Sequence, residues 1–446
     1  MKVYLGNLWE YLRTSFWFVP TFMMLLSTLL AVGTIWFDLS FHFSRRQLPF
    51  WLISANAENA EVLISTIASS MITVAGVVFS MTMVVLSLAS SQLGPRLLRN
   101  FIRDPVTQVG LGIFTSTFLY CLLVLAWLLA LADTGVHLRL SLTMAIMLAF
   151  SSLLMLIRYI HHVSVFIQAD TLIQAVSDEL CSAIDRLYPD TYDKETSAPI
   201  APHDNEHPGQ SLMIPALTSG YVQAIDLDGL FHFADEQDAS LQLYCQPGQF
   251  VIEKAQLATY WHQKPPEEEI DTQLNRYFII GDKATPEQDI VFSIRQLEEV
   301  ALRALSPGIN DPGTAIACVD RLTIALGILL HRHFTSSHRF NDDGLLRLTS
   351  KPISFENISD AALNQIRQHS QANVAVTACI LRNLAMLARQ AVRSTDKQAI
   401  EKHAILAANG CLEHINEPVD RERIDQSLSE VKSALHQSHG QDLHSG

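Results

Sequence analysis

The sequence predicts a four-helix α-helical integral membrane domain followed by a C-terminal soluble α+β domain, on three observations. The 446-residue chain has a positive mean hydropathy although 17% of its residues are charged, as expected of a chain divided between lipid and water. Its long apolar runs crowd into the first 165 residues. The charge is equally divided: nine Lys/Arg and six Asp/Glu precede residue 166, and the remaining 22 and 39 give the rest −17 of the net −14.

The apolar runs, at about 15–37, 61–94, 105–132 and 136–160, each exceed the ~20 residues that a bilayer core requires. The first is too long for a cleaved signal and has no small-residue cleavage site behind it. Asp104 and Pro105 give the third a clear start, as N-cap and first helical residue. Lys2, Arg13, Arg96, Arg99, Arg103 and Arg158 lie on one side of this scheme, and Arg45, Arg46 and Arg139 on the other. The positive-inside bias then predicts a multi-pass protein with both termini cytoplasmic. Arg96, Arg99 and Arg103 are expected to contact lipid headgroups, or less simply to ring a pore mouth.

The second helix is the most informative. At alternating steps of three and four stand Thr66, Ser69, Thr73, Gly76, Ser80, Met83, Ser87, Ser90 and Gly94, nearly all small or hydroxylated, among large apolar neighbours. This period holds one seam on one helix face. Two readings fit it: close packing of helices through small residues, or a polar wall of a central path for ions between copies of the chain. No Asp, Glu, Lys or Arg stands at mid-membrane depth, which argues against coupled transport.

Residues 166–210 read as a helical stalk, unbroken from the fourth helix to about 187, and a polar linker with four prolines. Residues 211–265 form a small β-rich section, with strands at 219–226, 241–245 and 250–252, a short helix or loop at 227–239 and a Gln246-Pro247-Gly248-Gln249 turn. Residues 266–446 read as helical. Capping boxes are predicted at Thr285-Pro286-Glu287-Gln288 and Thr395-Asp396-Lys397-Gln398, with helices at about 312–330, 360–392, 396–415 and 421–435.

The turn Ser306, Pro307, Gly308, Ile309, Asn310, Asp311, Pro312, Gly313, Thr314 is the candidate functional loop, either a rigid elbow or a surface for an anion, a cation or a neighbouring subunit. The near-clusters His161/His162, His203/His207 and His331/His333/His338 lack matched carboxylates or cysteines, so no metal and no cofactor is expected. Six scattered cysteines without a CxxC pair predict reduced thiols. The acidic balance speaks against nucleic acid. No phosphate loop, nucleophile elbow, zinc-protease helix or dinucleotide fingerprint is present, so nothing supports an enzyme.

SPGINDPGTA at 306–315, VVFSMTMVVLSLASSQLGPRLL at 77–98 and GYVQAID at 220–226 resemble an uncharacterised family of bacterial predicted membrane proteins, domain of unknown function 2254. The resemblance spans nearly the whole chain, implies a place in the bacterial inner membrane and implies no catalytic residues. The expected partners are the lipid bilayer and further copies of the chain, with ions or a cytoplasmic partner beyond them. Three functions follow as expectations: a homo-oligomeric, channel-like protein gated or assembled by its cytoplasmic domain; a membrane-anchored sensor or scaffold; and, least supported, an enzyme of lipid or envelope precursors.

Overall fold

A computed structural model describes residues 17–40, 57–92, 104–131, 138–166, 169–188, 210–262, 269–334, 337–351 and 353–442. The chain divides into two units, Met1–Thr171 and Leu172–Gly446.

The first unit holds α1 (Phe18–Ser40), α2 (Ala57–Gln92), α3 (Pro105–Ala130) and α4 (Arg139–Phe166). α3 packs on all three others. It does so through small residues, which let helix backbones approach where lipid supplies no hydrophobic drive. A Cβ on Gly112 would sit 2.4 Å from Met23 Sδ, so only glycine fits the α1–α3 crossing without a shift of Met23. Ala31, Ile35, Ile64, Ala68, Tyr120, Val124 and Leu142 fill the core. Polar ties cross it: Ser27 Oγ donates to Ser116 O (2.6 Å), Thr117 and Ser152 share a hydroxyl bond (3.1 Å), and Tyr120 OH bonds Thr34 Oγ1 (2.9 Å) and Ser141 O (3.1 Å).

Each end of the bundle is closed by a carboxylate that caps a helix. Asp104 caps α3 as predicted, accepting from Thr107 N (2.9 Å), and also meets His162 Nε2 on α4 (2.9 Å). Asp38, at the end of α1, caps α4 across the helix boundary, accepting from Leu140 N (3.0 Å), Ser141 N (2.9 Å) and Ser141 Oγ (2.8 Å). α4 ends at Phe166 and the next helix, α5 (Ala169–Leu187), starts three residues on. The join predicted to be unbroken, at 167–168, lies outside the described residues.

The second unit is built on two sheets. Its β-section contains β1 (Gln210–Pro215), β2 (Gly220–Ile225), α6 (Leu227–Glu236), β3 (Ser240–Leu243), β4 (Phe250–Val251), β5 (Gln256–His262), α7 (Ile270–Asn275) and β6 (Phe278–Gly281). The helical part holds α8 (Ile290–Ala304), α9 (Pro312–Leu330), α10 (Phe355–His369), α11 (Val374–Gln390), α12 (Ser394–Leu412) and α13 (Pro418–Asp442). Between α9 and α10 the chain returns to strand, as β7 (His338–Phe340) and β8 (Leu346–Thr349). One sheet runs β1-β5-β3-β8-β7, antiparallel except for the parallel pair β3–β8; the other runs β4-β2-β6. The predicted β-rich section 211–265 is therefore incomplete, since residues 278–281, 338–340 and 346–349 finish the sheets.

Three further expectations are corrected. The run at 360–392 is two helices, because Ser370 ends α10 while Asn373 caps α11, its side chain accepting from Val376 N (3.1 Å). The box at Thr285 does not form: α8 starts at Ile290 with Asp289 as N-cap, and Gln288 instead grips both the N–H (2.9 Å) and C=O (3.2 Å) of Ile225. The box at Thr395 gives way to Arg393, which binds Asp396 (2.7 Å). Among the described residues five helices, one more than the four predicted spans, are long and apolar enough to cross a membrane by length and composition: α1 to α4 and α9. α9 buries Cys318, Val319, Leu322, Leu326 and Leu329 and packs on α8, α10 and α11.

Candidate functional site

The site is built on α2, a helix of 36 residues and so about 54 Å long at 1.5 Å per residue. Its buried positions are Ala60, Ile64, Ala68, Met71, Ala75, Val78 and Val85, spaced three and four apart; the helix as a whole packs on α3 and α4. Thr82 continues this face, its hydroxyl bonded to Tyr159 OH (2.6 Å). The candidate seam is the other face. Thr66, Ser69, Thr73, Gly76, Ser80, Met83 and Ser87 are all exposed. At 100° per residue the centres of the two faces lie about 160° apart. Ser90's side chain and Gly94 lie outside the described residues, as do Arg96, Arg99 and Arg103.

Among the described residues, the seam is thus not part of the packing of this chain's own bundle. A Cβ on Gly76 would meet nothing within 4 Å, so nothing inside the chain calls for glycine there. Thr66 donates to Val62 O (2.6 Å) and Thr73 to Ser69 O (2.8 Å), which satisfies both hydroxyl protons within the helix. Exposed Ile72, Val77 and Phe79 flank the seam. The result is an uncharged exposed strip of mostly small residues bordered by apolar side chains.

The turn at Ser306–Thr314 is organised by its own bonds. Asn310 takes a left-handed φ of 49°, its N–H donates to Ser306 O (2.9 Å), and Asp311 N donates to Ala304 O (2.8 Å). Asp311 caps α9 by accepting from Thr314 N (3.1 Å) and Thr314 Oγ1 (2.6 Å), bonds that hold its carboxyl below the usual range. That use of Asp311 and of the Thr314 N–H leaves an elbow whose polar groups serve the turn itself. Pro307, Gly308 and Ile309 stand exposed at its tip, and Pro312 opens α9 as predicted.

His162 is engaged with Asp104, His331 Nε2 lies 3.4 Å from Gln390 Oε1, and His338 Nδ1 lies 2.8 Å from Ser337 Oγ. Among the described residues no group of three or more His, Cys, Asp or Glu is placed to hold a metal. His203 and His207 lie outside those residues. All six cysteines are free thiols. Sequence reasoning missed Asp38, whose cap spans two helices far apart in the chain, so that no local spacing marks it.

These features coincide with a wider match. Residues 13–386 fit the family described as "Predicted membrane protein (DUF2254)". The chain belongs to that family. An uncharacterized protein of Mycobacterium tuberculosis (strain CDC 1551 / Oshkosh) is 30% identical over 419 residues, covering 92% of this chain and 79% of the relative. An uncharacterized protein of Mycobacterium bovis is 29% identical over the same coverage. No solved structure matches the chain. This DUF2254 member is a membrane protein with several apolar helices and a C-terminal region of strands and helices.

Proposed function

We propose that this protein assembles as a homo-oligomer in the bacterial inner membrane, with the outward faces of α2 from neighbouring copies meeting around an axis and lining or supporting a central path for ions. Four helices cross the membrane in this reading, and α9 is a core helix of a cytoplasmic domain that assembles or gates the path. The carrying observation is the direction of the seam: Thr66 to Ser87 faces away from every helix of its own bundle. A row of small residues 180° from lipid would need no explanation, but one turned outward offers a partner helix close approach. α9 is assigned to the soluble part because it holds Asp320, which accepts from Asn383 Nδ2 on α11 (2.7 Å), and because its apolar side is covered by that domain.

Cysteine cross-linking in native membranes tests the assembly. Thr73→Cys and Ser80→Cys should form intermolecular disulfides, and Ala75→Cys, buried inside the bundle, should not. Equal yields at all three positions would remove the seam from the interface. Single-channel recording then separates path from packing: Ser80→Leu should change conductance if the face lines a path. The hydroxyl bonds within α2, from Thr66 and Thr73, favour a second reading in which the seam only packs two copies together and the cytoplasmic domain acts as a sensor or scaffold. Silence in every recording, with a stoichiometry of two, would select that reading.

A further inference from the structure

Two turns of the β-section run side by side at residues 216–219 and 252–255. Ala216 N donates to Ala255 O (2.8 Å), Lys254 N to Ala216 O (2.8 Å), and Glu253 N to Ser219 Oγ (2.8 Å). These turns carry Leu217 and Ile252, and the adjoining β4 carries Phe250; they are 52%, 62% and 54% exposed. Strand alternation explains the pairing of Phe250 with Ile252: Val251 between them points into the core, so its neighbours share the opposite face. Tyr221, the register partner of Phe250 on β2, stands edge to face with it at 5.2 Å between ring centroids. An aromatic pair and two aliphatic side chains thus form one outward apolar surface on a rigid, hydrogen-bonded base.

The surroundings point to one occupant. The exposed charges at the rim alternate in sign, Glu253 beside Lys254 and Asp282 beside Lys283, so this patch is locally neutral in a part of the chain that carries −17. An anionic membrane surface repels the rest of that part more than it repels the patch. The tether is short: residues 167 and 168 alone separate the end of α4 from α5, whose buried face belongs to the C-terminal unit. Tyr188, just past α5, stands edge to face with Phe334 at 5.4 Å between ring centroids, and Asp185 pairs with Arg332. A bilayer is therefore present at high effective concentration in every copy of the protein, whereas a second copy requires the assembly proposed above.

We propose that Leu217, Tyr221, Phe250 and Ile252 form a membrane-docking face, which rests against the headgroup and upper acyl region of the bilayer that holds the chain. Tyr and Phe suit that interface, being apolar bodies of which one carries a polar tip. The proposal does not depend on oligomer formation, and it is tested on single copies. Full-length protein carrying Cys181→Ser is reconstituted at one copy per nanodisc, with an environment-sensitive fluorophore on Ile252→Cys or Leu217→Cys. Val419→Cys, 77% exposed on α13, serves as the comparison. Emission from 252 and 217 should shift to the blue and be quenched by nitroxide-labelled lipid, while that from 419 does neither. A Phe250→Ser change should reduce the quenching at 252 without altering the melting of the protein. Quenching by a water-soluble agent equal at 252 and 419 overturns the proposal. So does a blue shift that appears only at two or more copies per disc, which would assign the face to a second copy.

Discussion

At the scale of single residues, the most exacting positions lie in the C-terminal unit. Gly248 holds φ at +85°, and a Cβ there would sit 2.0 Å from Asp289 Oδ2. Asp289 cannot easily retreat, because its other oxygen caps α8 through Val291 N (2.9 Å) and burial pushes its carboxyl up to about 6. Gly248→Ala should therefore cost about 1–3 kcal/mol, read as a fall in melting temperature in detergent. His403 is the second such residue. It is 1% exposed, and its Nε2 lies 3.1 Å from Asp360 Oδ1 in an orientation that makes no hydrogen bond. Burial lowers its pKa from 6.5 to about 4, against the pull of Asp360. The unfolded chain then takes up this proton first as pH falls, so the contribution of His403 is full above pH 6.5 and is lost between 6.5 and about 4, while Asp289, protonated first in the folded chain, acts in the opposite sense below about 6. The loss is on the order of 3 kcal/mol. His403→Leu should flatten this decline in melts recorded from pH 7 to pH 4; an unchanged slope would assign it to other groups.

At the scale of the element, α2 shows what was legible and what was not. The period of the seam could be read from Thr66 onward, yet its direction could not. In water, polarity tells the buried side of a helix from the exposed one; in lipid both sides are apolar, and Ala, Ile, Met and Val serve packing and lipid contact alike. The structure separates them, and two neighbouring substitutions should behave differently. Ala75→Leu forces volume into a buried position of the bundle and should lower stability by about 1–3 kcal/mol. Gly76→Leu enters open space and should leave melting unchanged while abolishing the cross-links expected on the seam. The misread helix ends share another cause. Gln288 was given to a helix by its spacing from Thr285, but the polar ends of β2 bind it. Ser370 and Asn373 are good capping residues, hidden because apolar periodicity continues on both sides of them. The strands at 338–349 were missed since each is three or four residues long and gains its place only by pairing with its own hairpin partner and with β3.

At the scale of the whole molecule, the division into a membrane part and an acidic part was legible from charge and hydropathy alone. The number of candidate spans was not, because α9 is long and apolar enough to qualify while its partners α8, α10 and α11 are amphipathic. Buried helices and membrane helices differ in what surrounds them, and composition does not record it. With four spans the C-terminus lies on the same side as the N-terminus; with five it lies opposite. A C-terminal fusion to a protein that fluoresces only when made in the cytoplasm should be bright. A dark fusion, with an N-terminal reporter still bright, would place α9 across the bilayer.

The parallel pairing of β3 with β8 sets a schedule for making the protein. Leu243 closes one strand and Leu346 opens the other, about 100 residues later. At 5–20 residues per second, the ribosome needs about 5–20 s to deliver the missing strand. Throughout that interval the nascent chain, its apolar helices already emerged, carries a half-built sheet with an unpaired edge beside identical chains in synthesis. Such an edge is open to mispairing. The exposure ends only once the hairpin at 338–349 has left the exit tunnel, and a stop codon anywhere before it should yield a product cleared by proteolysis.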